Sequence, residues 1–464
     1  MRSAPSPNTP DAYDVIILGA GIAGLTAALT LVDEATRNGT PPPGILILEG
    51  DSRPGGRVRT IPLHGTPVDT GAHWFHGGYN SSFYRWLAAR YGTPDDINMD
   101  ELEESVLTFA GRCYLPDERR RIDAELRIAF DAYMRAHPGA APSLTDIFRH
   151  SRVSAALDSY GLYMAQCWAG VDSTDQVSAA AFYDSREATP GGIQLRNGIE
   201  AIVTHMAQEL AGHGVAITCR TLVTAVSQTA SGVMVTDLSN TTYRAAHTIV
   251  TASVGVLQSH AIAFDPPLAP HVEAYIGSVQ PARITKIIIP VRDSFFVDKG
   301  IPEESRYGGV DDDGGYFCFV NGAAEPLIVL FVGGHLADAV EHMAPDAVQG
   351  FAFDKLDRIG ALDGYREAIT GHHLVTRWNN HPLFRCAYSA MKAGAGRRQD
   401  PMTDGRITLA GEAFMSRDSA TLTGAWRSGA RAGIDTYARL MGTVAPHPAP
   451  ALETTSSLLP KNAP

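Results

Sequence analysis

The sequence predicts an α/β protein built around a Rossmann-like parallel sheet, and three observations carry that prediction. An apolar run, Val15-Ile16-Ile17-Leu18, leads straight into Gly19-Ala20-Gly21-Ile22-Ala23-Gly24 and then into the helix-forming Leu25-Thr26-Ala27-Ala28-Leu29. A second apolar run, Ile45-Leu46-Ile47-Leu48, ends in an acid, Glu49. Glycine supplies 45 of 464 residues, above the roughly 7% of ordinary usage. No repeat period accompanies the excess, so it marks particular backbone positions rather than low complexity.

Each element has a physical reason. Residues 13–18 read as a buried parallel strand because the run is continuously apolar rather than alternating. Gly19 permits a tight turn, Gly21 lets the backbone approach a diphosphate, and Gly24 lets the helix pack closely on the strand. Ala23 falls in the first helical turn, whose N–H groups and positive potential suit phosphate. Glu49 lies 25 residues beyond Gly24, against the usual spacing of about 20, and the loop at 38–43 accounts for the difference. Its carboxylate is placed to accept hydrogen bonds from ribose hydroxyls. Strand, G-x-G-x-x-G, helix, strand and acid, in that order, form the context that dinucleotide binding requires.

Further along, residues 80–190 read as helical, with Phe83, Trp86, Leu87 and Tyr91 on one face and a capping box at Ser143 and Asp146. The charge run 117–121 reads as a solvated helix face. Residues 215–226 and 233–235 read as alternating strands, the ITKIII and PLIVLFVGG segments read as strands, and 345–358 reads as a helix. Lys+Arg 38 against Asp+Glu 50 leaves a net charge of −12, which speaks against nucleic acid as a partner and suits a cationic ligand. Five cysteines without a C-x-x-C pair give neither a zinc knuckle nor a disulfide framework, and a cytoplasmic location is expected. The first apolar run is broken by glycines, so neither a signal peptide nor a membrane span is expected. Residues 1–12 and 444–464 read as disordered tails. No metal-ligand or Ser–His–Asp pattern stands out; His372, His373 and His381 read as loop histidines.

After Glu49 comes Arg53-Pro54-Gly55-Gly56-Arg57, then Val68-Asp69-Thr70-Gly71-Ala72-His73-Trp74-Phe75-His76-Gly77. Near the other end stand Leu409-Ala410-Gly411-Glu412-Ala413 and Ala420-Thr421-Leu422-Thr423-Gly424-Ala425-Trp426-Arg427-Ser428-Gly429. Between them lie the stretch 251–259 (TASVGVLQS), Phe264-Asp265-Pro266-Pro267-Leu268, and Arg283-Ile284-Thr285-Lys286-Ile287. In these blocks the chain resembles the flavin-containing amine oxidase family: polyamine and spermine oxidases and, more distantly, monoamine oxidases, L-amino-acid oxidases and histone lysine demethylases. Ser253-Val254 departs from the Pro-Leu common there.

The resemblance implies a Rossmann-like FAD-binding domain of glutathione-reductase type, drawn from 13–79, 191–271 and 405–443. An interleaved α+β substrate-binding domain would come from 80–190 and 272–404. It implies that FAD, held without a covalent bond, contacts Gly19, Gly21, Ala23, Gly24, Glu49, Gly56, Arg57, Gly71, Ala72, His73 and Trp74. Val223, Trp378, Gly411, Glu412, Thr421 and Leu422 complete that set. Arg57 would neutralise diphosphate charge. The cysteine that anchors flavin in monoamine oxidases corresponds to Ala387, so Cys386 reads as an ordinary buried thiol.

Three residues are implied for the chemistry. Lys286 sits in an apolar run, where desolvating an ammonium is costly unless the group has a partner; the family's lysine there holds a water against flavin N5. Tyr388 forms one wall above the ring, and Thr421 replaces the expected second aromatic, leaving a more open pocket. His76 reads either as a proton-exchanging group at the channel or as a structural histidine. The implied reaction moves hydride from the α-carbon of a neutral amine to N5. Oxygen then reoxidises the flavin to give hydrogen peroxide, and water hydrolyses the imine to aldehyde and amine. A small cationic amine of polyamine type and O2 are the expected partners of a monomer or homodimer. The alternatives are an L-amino-acid oxidase, an oxidase of a biosynthetic amine, or a flavin-binding interaction protein without catalysis. Asp184 and Glu187 are candidates for a distal ammonium, and Arg59 or Arg385 for a carboxylate.

Overall fold

The computed structural model describes residues 12–63, 66–98, 106–109, 112–184, 192–292, 294–301, 305–321 and 326–443. Its first sheet grows from strand β1 (Ala12–Leu18), with β2 (Ile45–Leu48) on one side and β3 (Thr242–Val250) on the other, all parallel. Ile17 lies between Ile47 and Ile249, so the apolar runs stack in register. Strands Ala216–Thr218 and Ile407–Leu409 extend the parallel sheet, and Gly232–Asp237 and Val223–Thr229 add an antiparallel meander. Helices α1 (Ile22–Arg37) and α2 (Leu422–Leu440) cross closely, because small residues form the seam. A Cβ on Gly429 would lie 2.1 Å from the Ala23 carbonyl oxygen.

Among the described residues the second sheet has seven strands. At its centre, β4 (Ile284–Pro290), β5 (Arg306–Val310), β6 (Gly315–Asn321) and β7 (Leu327–Gly333) pair in the order β4-β7-β6-β5. Register decides which side chains share a face: Lys286 lies opposite Phe331, Phe331 opposite Phe317, and Phe319 opposite Arg306. The alternate residues Ile287, Ile289, Leu330 and Ile328 face the other way. They pack with Val348 and Leu356 of helix Pro345–Leu356.

Two segments differ from the sequence reading. Helix Ser82–Tyr91 packs on α2, Phe83 stacking on Trp426 at 5.6 Å, so it joins the core of the first sheet rather than the substrate-side segment. The 80–190 stretch is not helical throughout either. It also holds strands Asp96–Asn98, Val106–Phe109 and Arg112–Tyr114 before helix Pro116–Ala136 begins. The capping box at Ser143 and Asp146 is formed. Asp311 turns the chain by accepting from the Asp313 and Gly314 N–H groups.

Candidate active site

One cavity of about 1160 Å³ runs from the β1–α1 turn to the aromatic face of the second sheet. Every residue expected to contact the flavin or carry the chemistry lines it, Gly24 excepted. Gly24 instead serves the turn: a Cβ there would lie 2.0 Å from the Gly19 carbonyl oxygen, so any side chain would push α1 off β1. The α1 N-cap is Gly21, which has no side chain to cap the first N–H groups, and that buried first turn carries no acid. Such an end is an anion site by construction. The second glycine segment folds back on it, Gly55 N donating to the Ala20 carbonyl at 2.8 Å. Gly71 is fixed by the same crowding, its absent Cβ being 2.0 Å from the Arg57 carbonyl oxygen.

Glu49 is buried, and its oxygens accept from Ala20 N at 2.7 Å and Asp51 N at 2.8 Å. Burial raises its carboxyl above the ordinary range, the two N–H groups opposing. Val223 reaches the cavity from a bulged position at the start of its strand. Gly411 donates its N–H to Ser428 Oγ of α2 at 2.9 Å, and Leu422 opens that helix.

Arg57, expected to neutralise diphosphate charge, is itself paired within the protein. It donates to Glu412 Oε1 at 3.0 Å and to the Ala387 carbonyl at 3.1 Å. Burial would lower its pKa, and the charge of Glu412, that of Cys386 and the Glu412 hydrogen bond together more than offset that. The network continues: Ser389 Oγ donates to Glu412 Oε2 at 2.6 Å and accepts from Arg398 Nη1 at 2.9 Å. Two guanidiniums around one carboxylate leave one positive charge over. Arg398 is buried, and its Nε has no hydrogen-bond partner among the described residues. Burial lowers the pKa of this guanidinium, with Glu412 opposing. The sequence reading missed Arg398. Nothing in the local pattern Gly396-Arg397-Arg398-Gln399 separates it from its surface-type neighbour.

Lys286 is 5% exposed, and its Nζ donates to the backbone oxygens of Gly71 at 2.7 Å and Asp69 at 3.2 Å. These bonds hold a costly buried amine in an apolar strand. Burial pushes its pKa far below the ordinary lysine range, and the charge of Asp69 pulls the other way. Burial in turn raises the Asp69 carboxyl, which accepts from Thr60 Oγ1 at 2.5 Å and Ile199 N at 3.1 Å. Phe331 lies under Lys286 at 5.3 Å. Trp74 stands between Phe319 at 5.0 Å and Phe331 at 6.1 Å. His73 packs at 5.0 Å from Phe319, where burial and the Lys286 charge keep it neutral.

The remaining residues sort by contact. Trp378 is pinned by Nε1 donating to the Thr70 carbonyl at 3.1 Å. Thr421 caps α2, its Oγ1 accepting from Gly424 N at 3.0 Å. Tyr388 presents its ring to the cavity while its hydroxyl donates to the Trp168 carbonyl at 3.1 Å. Burial raises the pKa of that phenol, so it is a wall rather than a proton donor. His76 is the exposed member of a two-residue strand that pairs with Gly192–Leu195. Cys386 is buried 3.8 Å from Arg57 Nη1. The charge run 117–121 is not wholly a solvated face: Arg119 and Arg120 line the cavity, and Arg119 Nε is buried. The side chain of Asp184 and all of Glu187 lie outside the described residues.

The uncapped α1 terminus, the surplus guanidinium at Arg398 and the cavity's volume fit a flavin dinucleotide, with the diphosphate at α1. Residues 22–433 match a family model described as flavin containing amine oxidoreductase. Polyamine oxidase 2 of Arabidopsis thaliana is 26% identical, covering 92% of this chain and 88% of that protein. Lysine-specific histone demethylase 1 homolog 2 of the same plant is 25% identical, covering 90% of this chain and 57% of that protein. Among solved structures, wild-type putrescine oxidase bound to putrescine superposes with a TM-score of 0.74 at 19% identity, covering 92% of this chain and 99% of that one. Cyclohexylamine oxidase from Brevibacterium oxydans IH-35A gives 0.74 at 18%, covering 93% and 100%.

Proposed function

The chain belongs to the flavin containing amine oxidoreductase family, and from that premise we propose how its own residues carry amine oxidation. The observation that carries the reading is the placement of Lys286, a buried amine bonded to Gly71 and Asp69 oxygens within the cavity that begins at the uncapped α1 terminus. Gly21, Ala23 and Arg398 would hold the diphosphate, Glu49 and Val223 the adenosine half, and Gly411, Glu412, Thr421, Leu422 and Trp378 the ring end. FAD, held without a covalent bond, supplies a two-electron acceptor for the carbon bearing the amine nitrogen, with O2 as the final oxidant.

Burial makes the Lys286 ammonium a stronger acid than an ordinary lysine's, with a pKa lowered to about 7, so that it loses its proton as pH rises through neutrality and its amine can then hold a water by hydrogen bond. Trp74, Phe317, Phe331 and Tyr388 exclude bulk water, which disfavours an ammonium and favours the neutral, oxidisable amine. His76, at the open side, exchanges the proton the substrate sheds on entry. A polyamine-type substrate is the reading that the names of the plant relatives support.

Purified protein is expected to be yellow, to bleach when mixed anaerobically with amine, and to release peroxide in air. Lys286→Met should slow bleaching, and unchanged bleaching in that variant removes the lysine from the mechanism. A yellow protein that no amine bleaches would favour the non-catalytic interaction protein instead.

A further inference from the structure

We propose that Asp69 is a positioning residue for the oxidation, its backbone oxygen fixing the Lys286 amine and its buried carboxylate serving as the counter-charge to the Lys286 ammonium. This rests on the amine-oxidase reading of Lys286 and adds what governs that lysine.

Asp69 ends strand Thr66–Asp69 and is buried. Its carbonyl accepts from Lys286 Nζ at 3.2 Å, and His73 Nδ1 lies 3.3 Å from the same oxygen. The carboxylate of that residue therefore occupies the same poorly solvated pocket. Both hydrogen bonds of Lys286 Nζ go to backbone oxygens, which orient an ammonium without cancelling its charge. Other donors hold the carboxylate in place. Thr60 stands opposite Asp69 in a hairpin, and its Oγ1 accepts from Glu200 N at 3.1 Å, so its proton is directed to Asp69 Oδ1 at 2.5 Å. Ile199 N donates to both carboxylate oxygens, at 3.1 and 3.3 Å. Ile199 is the N-cap of helix Glu200–Gly212 and has no side chain to cap it, so Asp69 receives the positive end of that helix. These contacts favour the anion against the cost of burying it.

The surrounding elements bring little else to balance Lys286. β7 sets Phe331 against it, and Thr376 bonds its backbone. His73 is kept neutral, with the charge of Arg306 on β5 acting on it as well. Glu341 and Asp338, on helix His335–His342, bond Thr285 and Arg283, and Thr285 points to the opposite face of β4. Glu200 acts on Asp69 but is itself paired with Arg53 at 2.8 Å. Burial thus drives the proton off Lys286, and the Asp69 charge retains it. This gives the proposal a sign. Removing the Asp69 charge leaves burial unopposed, so the amine loses its proton at lower pH. Mere loosening of the site would admit water and move the same ionisation to higher pH.

The test uses the yellow holoenzyme. Difference spectra of the oxidised flavin, recorded against pH without substrate, should show a transition that Lys286→Met abolishes. In Asp69→Asn, which keeps an acceptor for Ile199 N, that transition and the pH dependence of anaerobic bleaching should move to lower pH by about one unit or more. Thr60→Val keeps the shape and the Asp69 carboxyl but removes its hydroxyl donor. It should move the transition the same way by less, and it carries the test if Asp69→Asn retains no flavin. A transition that stays in place or moves to higher pH in the variants that hold flavin would overturn the counter-charge. So would a wild type without a transition that Lys286→Met removes. Either result leaves amine oxidation intact if Lys286→Met still slows bleaching. Unchanged bleaching in Lys286→Met would overturn the lysine reading and this proposal together.

Discussion

Glu341 never touches the cavity, yet replacing it should loosen the site. It is 1% exposed and accepts from Thr285 Oγ1 at 2.9 Å, from Asn379 through N and Nδ2 at 3.2 and 2.8 Å, and from Asn380 through N and Nδ2 at 3.0 and 2.9 Å. Thr285 precedes Lys286. Asn379 follows Trp378, and Thr376 bonds the Lys286 backbone on both sides, at 2.9 and 3.0 Å. One carboxylate therefore ties the lysine strand to the tryptophan loop. Glu341→Leu leaves two backbone N–H groups without an acceptor and the Thr285 hydroxyl with only the long bond to the Ala337 carbonyl at 3.4 Å, at about 1–3 kcal/mol each with the partly buried N–H groups at the low end, or about 3–5 kcal/mol together. At about 2.1 cal/mol/K per residue, 464 residues give about 1 kcal/mol per degree, so the thermal midpoint should fall by about 3–5 °C. Glu341→Gln, which keeps one acceptor oxygen, should lose about a third of that. Calorimetry and flavin retained after gel filtration are the assays. A Glu341→Leu protein that melts within about 1 °C of wild type and keeps its flavin would refute the reasoning.

Other outcomes follow from the same geometry. Arg398→Gln removes the surplus cation and should weaken flavin binding by about tenfold or more, measured by titrating FAD into apoprotein; unchanged affinity would take Arg398 out of the cofactor site. Lys286 has a folded pKa depressed by burial, so between that value and the unfolded value of about 10.4 the unfolded chain binds more protons. Its contribution to stability therefore rises with pH through that window. The thermal advantage of Lys286→Met over wild type should be largest at the acid end, and a pH-independent difference would contradict the buried-amine reading. Gly24→Val should leave little soluble, flavin-containing protein, because its Cβ has no room beside the Gly19 oxygen; a yellow, stable variant would count against the close packing of α1 on β1.

Part of this was legible because the chemistry is local in sequence. The β1–α1 turn needs residues without side chains at fixed spacing, and no later contact substitutes for them. Lys286 was legible for a related reason: an ammonium in the run Ile284 to Ile289 has a desolvation cost that demands partners wherever the strand lies. Arg398 was not, since it differs from Arg397 only in where its side chain points, and Arg119 looked like one more charge in a polar run. Those assignments depend on how separate elements pack rather than on the neighbouring residues: Arg398 meets Ser389 and, through it, Glu412 and Arg57. Glu341 acquires its role only when 285 and 379–380 meet across it.

The sequence by itself determined the parallel sheet and the glycine turn, because each follows from backbone sterics and periodicity over a few residues, while the family was legible through the resemblance of its motif blocks. Tertiary structure alone decided which charges cancel. Arg57 is balanced by Glu412, Arg398 is left over, and Arg306 and Lys286 share one face because strand register fixes side-chain direction with period two. Net charge sums the chain without regard to position, whereas a substrate responds to the few groups that low dielectric leaves unscreened around it.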